Sequence, residues 1–119
     1  MVSKKVKTKA LHKENPKWGL VKEILQGVER RKDSDDFCIL DLGTNPADYI
    51  QTRYSGPGWR LERRDWHKDG SYTHYFAHLA TGSKDAETVP QFQVIIDAFE
   101  AFYRRHPYQP DLKWVVYDI

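Results

Sequence analysis

Cysteine is almost missing from this chain: Cys38 stands alone among 119 residues, so no intramolecular disulfide can form. The fold must rest on its own apolar core, and one domain of this length can bury one. Long apolar runs are missing too. No stretch approaches the roughly 20 residues that a membrane-spanning helix needs, and the Lys-rich N-terminus lacks the apolar segment of a secretory signal. Cys38 lies in the run Phe37-Cys38-Ile39-Leu40 and reads as a small buried hydrophobe. A lone thiol of this kind suits a reducing compartment, so the expected location is the cytoplasm, away from membranes.

Signatures of chemistry are also missing. There is no phosphate-binding loop, dinucleotide fingerprint, nucleophile elbow or zinc-protease helix. No RNA-recognition, zinc-finger or helix-turn-helix pattern stands out. His67, His74 and His78 lie close together, with Asp65 and Asp69 nearby, and His74 and His78 share a strand face. Their spacing matches no metal-ligand motif, so neither a metal nor a cofactor is expected. Tyr49, Glu62, Asp65 and His67 could be drawn as an acid/base group, but Glu62 and Asp65 point to opposite faces of any strand that holds both. The expectation is a protein that is not an enzyme.

Aromatic side chains are what the chain has in quantity: 13% of residues, with four Trp and seven Tyr. Surfaces that bind other proteins are enriched in Trp, Tyr and Arg. Charge is unevenly placed. Residues 1–32 hold ten Lys/Arg against three Asp/Glu, and residues 33–119 hold nine against fourteen. The body is therefore acidic, which argues against nucleic acid as its partner. The basic excess falls on residues 1–14, expected to be a flexible tail, and on the helix that follows.

Local patterns predict an α+β single domain over residues 15–119, in the order α-β-β-β-β-α-β, with an antiparallel sheet meander and two helices packed on the sheet. Asn15-Pro16 reads as a helix start, with Asn as N-cap and Pro in the first helical position. Trp18, Val21, Leu25 and Val28 then share one face, with Ile24 beside them. Phe37 to Leu42 is nearly continuous in apolar character and predicts a strand covered on both faces. Gly43 to Pro46 reads as a loop. Strands are expected at Tyr49–Tyr54, Trp59–Trp66 and Tyr72–Leu79, parted by turns at Gly56-Pro57-Gly58 and Lys68-Asp69-Gly70. A second helix is expected from Thr88 to Arg105, opened by a Thr88/Gln91 capping box and carrying the stripe Phe92, Ile95, Ile96, Phe99, Phe102 and Tyr103. Leu112 to Tyr117 closes the chain as a strand.

The strand Trp59–Trp66 mixes Trp59, Leu61 and Trp66 with Arg60, Glu62, Arg63, Arg64 and Asp65. A two-residue turn at Gly56-Pro57 sets Tyr54 opposite Trp59, Thr52 opposite Leu61 and Ile50 opposite Arg63. Ile50, Tyr54, Trp59 and Leu61 then face the core. The other face carries Tyr49, Gln51, Arg53, Arg60, Glu62, Arg64 and Trp66, a concentration of Arg and aromatic residues suited to holding a partner.

With these residues in order, the chain resembles immunity proteins of bacterial polymorphic toxin systems, including partners of contact-dependent and type VI-delivered toxins. The likeness rests on Tyr49-Ile50-Gln51, a Gly-containing turn, Trp59-Arg60-Leu61-Glu62-Arg63, and His74-Tyr75 in the next strand. It continues in the helix ending Phe99-Glu100-Ala101-Phe102-Tyr103 and in the last strand with Trp114, covering residues 15–119. Two features depart from the pattern. The net charge is +2, whereas immunity proteins against nucleases are often acidic, and the Lys-rich N-terminus is not part of it. The resemblance implies stoichiometric binding of a cognate toxin domain in the cytoplasm, with no reaction. Such binding would need to be roughly nanomolar or tighter, on the order of −12 kcal/mol. The competing expectation is a small α+β enzyme or ligand-binding domain with a pocket between sheet and helix lined by Tyr49, Glu62 and His74.

Overall fold

A computed structural model of the chain describes residues 4–9, 11–31, 35–42, 45–54, 58–79 and 91–116. Seven strands and two helices follow one another as β1 (Lys4–Thr8), β2 (His12–Glu14), α1 (Trp18–Glu29), β3 (Phe37–Leu42), β4 (Asn45–Tyr54), β5 (Trp59–Trp66), β6 (Tyr72–Leu79), α2 (Phe92–Arg104) and β7 (Leu112–Val116). All seven strands form one sheet in the order β2-β1-β3-β4-β5-β6-β7, and every neighbouring pair is antiparallel. From α1 onward the observed order is the expected α-β-β-β-β-α-β.

The register between β4 and β5 is the one read from the turn. Tyr54 pairs with Trp59, Thr52 with Leu61 and Ile50 with Arg63. Ile50 and Leu61 are fully buried and Trp59 nearly so. Both helices lie over that face. Val21, Ile24, Leu25 and Val28 of α1, and Phe92, Ile95, Ile96, Phe99 and Phe102 of α2, meet Cys38, Leu40, Ile50, Leu61, Ala77 and Leu112 of the sheet in one core. Trp18 and Tyr103 pack at its edge with ring centroids 5.7 Å apart, and the Tyr103 hydroxyl donates to the Pro16 carbonyl. The helices thus cover one side of a twisted sheet, and side-chain alternation decides which residues remain on the other.

The N-terminal segment is the main correction. Residues 4–8 and 12–14 are strands of the main sheet, not a flexible tail. β1 lies between β2 and β3, pairing along its whole length with β3 from Lys4↔Leu42 to Thr8↔Cys38. Val6 is 1% exposed, and the Thr8 hydroxyl donates to buried Asp35 at 3.2 Å. The physical reason is a short alternation, Lys5-Val6-Lys7-Thr8, which puts one apolar and one hydrogen-bonding side chain inward and two ammonium groups outward. Lys5 and Lys7 do not repel the segment into solvent, because each stands on a solvated strand face.

Smaller differences follow from local geometry. Asn15 does not cap α1; it takes the left-handed conformation at φ 51°, which Asn tolerates, and its N–H donates to the Lys4 carbonyl at 2.7 Å. α1 starts at Trp18 behind Lys17, with no side-chain cap. β3 is covered on one face: Cys38 and Leu40 are buried, whereas Phe37 and Ile39 are only half-buried. β4 begins at Asn45, inside the expected loop. α2 begins at Phe92; Thr88 and Pro90 lie outside the described residues, as does Tyr117. The β5–β6 turn is as expected, with Gly70 at φ 90°, a conformation glycine adopts without strain.

Cys38 is fully buried, and burial pushes its thiol far above the ordinary value, with Asp35 adding in the same direction. A protonated, enclosed thiol is a poor nucleophile. The native protein is therefore expected to resist iodoacetamide at neutral pH and to take one equivalent when denatured. Rapid labelling of the folded chain would contradict this core.

Candidate functional site

The sheet face away from the helices is built in rows across the strands. One row runs Glu14, Lys5, Asp41, Tyr49, Arg64 and His74, each directly opposite the next. The adjacent row runs His12, Lys7, Ile39, Gln51, Glu62, Phe76 and Val115. Beyond it, toward the β4–β5 turn, stand Phe37, Arg53 and Arg60, with the His78–Lys113 pair at the same end. At the opposite end Trp66 faces Tyr72, and these rings are 44% and 51% exposed.

All seven residues expected on this face are brought together on it: Tyr49, Gln51, Arg53, Arg60, Glu62, Arg64 and Trp66. They are not equally presented. Arg53 and Trp66 are exposed, while Tyr49, Gln51, Arg60 and Arg64 are half-buried. Glu62 is only 7% exposed, so its role is to hold neighbours rather than to meet a partner. The Arg60 guanidinium lies 3.3 Å from one Glu62 oxygen, and His74 Nε2 lies 2.9 Å from the other. His74 Nδ1 is in turn 3.4 Å from the Tyr49 hydroxyl. With a proton on Nε2, His74 donates to Glu62, and its Nδ1 lies within reach of the Tyr49 hydroxyl. Burial raises Tyr49 above the ordinary tyrosine value despite the opposing pull of Arg64, which keeps the phenol a hydrogen-bond donor. Arg64 stacks between Tyr49 and Tyr72, at 4.7 and 4.4 Å from the two ring centroids. Stacked guanidinium and ring surfaces of this kind lose little freedom when a partner covers them.

The network has a consequence for mutagenesis. Arg60 lies next to a nearly buried carboxylate, so Arg60→Ala touches stability as well as the surface. Arg53, which has exposed side-chain surface and no such carboxylate neighbour among the described residues, is the cleaner probe.

Tyr49, Glu62 and His74 are indeed hydrogen-bonded together, but on the face away from the helices. The expected pocket between sheet and helix is not where they are. A cleft of about 420 Å³ lies on the helix side instead, at the C-terminal end of α2, and is lined by Asp48, Arg63, Asp65, Phe102, Arg105 and Tyr108 among others. Its charges are already engaged. Arg63 pairs with Asp65 and stacks among Tyr75, Tyr108 and Trp114, 4.1 to 5.1 Å from their centroids. Asp48 accepts the Trp66 N–H and lies 4.0 Å from Arg105. Burial pushes the Tyr108 phenol up to about 12. Arg63 and Asp65 thus leave the charged-strand set by alternation: the same strand feeds both faces.

His67 is held by Thr73, with Nε2 and the hydroxyl 2.6 Å apart, and not by His74 or His78. Among the described residues no group of three or more His, Cys, Asp or Glu is placed to hold a metal ion. No helix among them is long and apolar enough to cross a membrane. Sequence reasoning missed Lys5, Lys7, His12 and Glu14 as members of this face. The sequence shows no more of it than one short alternation, Val6 between two lysines; the pairing with β3 that fixes the strand is not local.

No protein-family model, curated protein or solved structure matches the chain.

Proposed function

We propose that this chain is an immunity protein: it binds a cognate bacterial toxin domain stoichiometrically through the helix-free face of its sheet and neutralises it without catalysis. The observation that carries the reading is the composition and presentation of that face. Exposed Trp66 and Tyr72 sit at one end, exposed Arg53 at the other, and Arg64 stacks between two rings in the middle. Trp, Tyr and Arg are the residues that most often carry interface energy. The element order and motif residues on which the likeness to immunity proteins rests supply the partner class. Location in the cytoplasm of the producing cell belongs to the same proposal.

The test uses the C-terminal domain of the protein encoded immediately upstream as the candidate toxin. Wild-type chain is expected to protect cells expressing that domain and to titrate it one to one. Trp66→Ala with Arg64→Ala should abolish protection at unchanged fold, since losing an Arg or Trp anchor from an interface costs about 2–4 kcal/mol, or roughly 30- to 1,000-fold in affinity. Full protection by the double variant would sink the assignment to this face. Failure of the wild-type chain to protect would sink the function.

A further inference from the structure

The charge on this face differs from that of the body as a whole. Its lysines and arginines outnumber its carboxylates two to one, because β1 delivers Lys5 and Lys7 to a surface that otherwise belongs to β4 and β5. The end near the β4–β5 turn carries Arg53, Arg60 and Lys113 with no carboxylate on the row. Lys7, Arg53 and Lys113 are exposed.

We infer that the surface docking here is an acidic protein surface, and that β1 belongs to the footprint through Lys5 and Lys7. This deepens the toxin-neutralising reading and rests on it. Complementary charge chooses the partner and speeds encounter, and a base-rich row beside an aromatic pair sets its orientation. A nucleic-acid strand fits less well. Glu14, Asp41 and Glu62 are set among the bases, where a uniformly anionic backbone meets repulsion and a protein surface can place a cation. Arg60 is already engaged by Glu62. The blocked toxin surface is therefore one that carries carboxylates, not the basic groove with which a nuclease holds its substrate.

The experiment is an amide chemical-shift titration of the intact chain with hexaglutamate, and separately with hexathymidylate, at low salt. Hexaglutamate should shift resonances in β1, β4 and β5 around Lys7, Arg53 and Arg60, and added salt should reverse the shifts. Lys7→Glu with Arg53→Glu changes two exposed side chains, so the melting temperature should hold while hexaglutamate affinity falls about tenfold or more. Shifts centred on Lys22 of α1 and Arg104 of α2 instead, or no shifts, would overturn the inference. Tighter binding of hexathymidylate on the same face would replace the acidic protein with a nucleic acid. The two readings fail separately. If hexaglutamate ignores this face while Trp66→Ala with Arg64→Ala still abolishes protection, only the acidic partner falls. If hexaglutamate binds here but protection is indifferent to the face, the neutralising assignment falls.

Discussion

Phe99→Ala is expected to destabilise the fold by about 3–5 kcal/mol, the range for removing a fully buried phenylalanine and leaving a cavity. Phe99 is 0% exposed and sits mid-stripe on α2, with Ile95, Ile96 and Phe102 on the same helix and the sheet core across from it. Its neighbours come from both layers, so they cannot all close on the gap. Chemical denaturation of the variant, with an unchanged slope and a lowered midpoint, is the measurement. A loss below about 1 kcal/mol would mean that α2 does not anchor the helix layer, and the division of the sheet into a core face and an open face would lose its basis.

Deleting residues 1–14 should have an effect at least as large. The deletion removes β1 and β2, strips β3 of one hydrogen-bonded neighbour from Cys38 to Leu42, and opens the core at Val6. Burial of Val6 alone is worth about 1.5–3 kcal/mol, and each lost ladder hydrogen bond adds about 0.5–1.5 kcal/mol. Asp35, 6% exposed, loses the Thr8 hydroxyl that donates to it. Thermal unfolding of the truncated chain should show a large fall in Tm, or no cooperative transition. A truncated chain that melts like the full-length protein would show that β1 is an appendage and that Lys5 and Lys7 are not fixed on the face.

These outcomes mark where the sequence was legible. The stripe on α2 and the faces of β4 and β5 could be read because each is long enough for its period to repeat and each ends at a turn with clear chemistry. A turn expected at Gly56-Pro57, residues outside those described, implies a register; the pairing of Tyr54 with Trp59 has that register, and a register fixes every alternate side chain. Residues 4–8 offer only two inward positions, Val6 and Thr8, and one of them is polar. Their strand is stabilised by pairing with β3 and by the core beneath it, neither of which is local. Asn15 shows the same limit: its residue type suits an N-cap and a left-handed turn equally, and the hydrogen bond to Lys4 decides between them.

The site divides similarly. Which residues share the open face follows from alternation alone. How they are presented does not, because Glu62 is enclosed by contacts with Arg60 and His74 that lie two residues along its own strand and across on β6. Arg63 reads like its neighbours Arg60 and Arg64, yet faces the helices within three aromatic rings. Its cage needs Tyr108 and Trp114 from beyond α2, so no local window could announce it.

The central claim is that the helix-free sheet face, not the helix layer, takes the partner. Cys38 is enclosed, so single cysteines introduced on the surface can be footprinted against a silent background. Arg53→Cys places a thiol on the open face, and Lys22→Cys and Gln93→Cys place one on the exposed side of each helix. Alkylation rates are measured with and without a stoichiometric amount of the toxin domain. The account predicts strong protection of the thiol at position 53 and unchanged rates at positions 22 and 93. Protection at 22 or 93 with position 53 still open would contradict it.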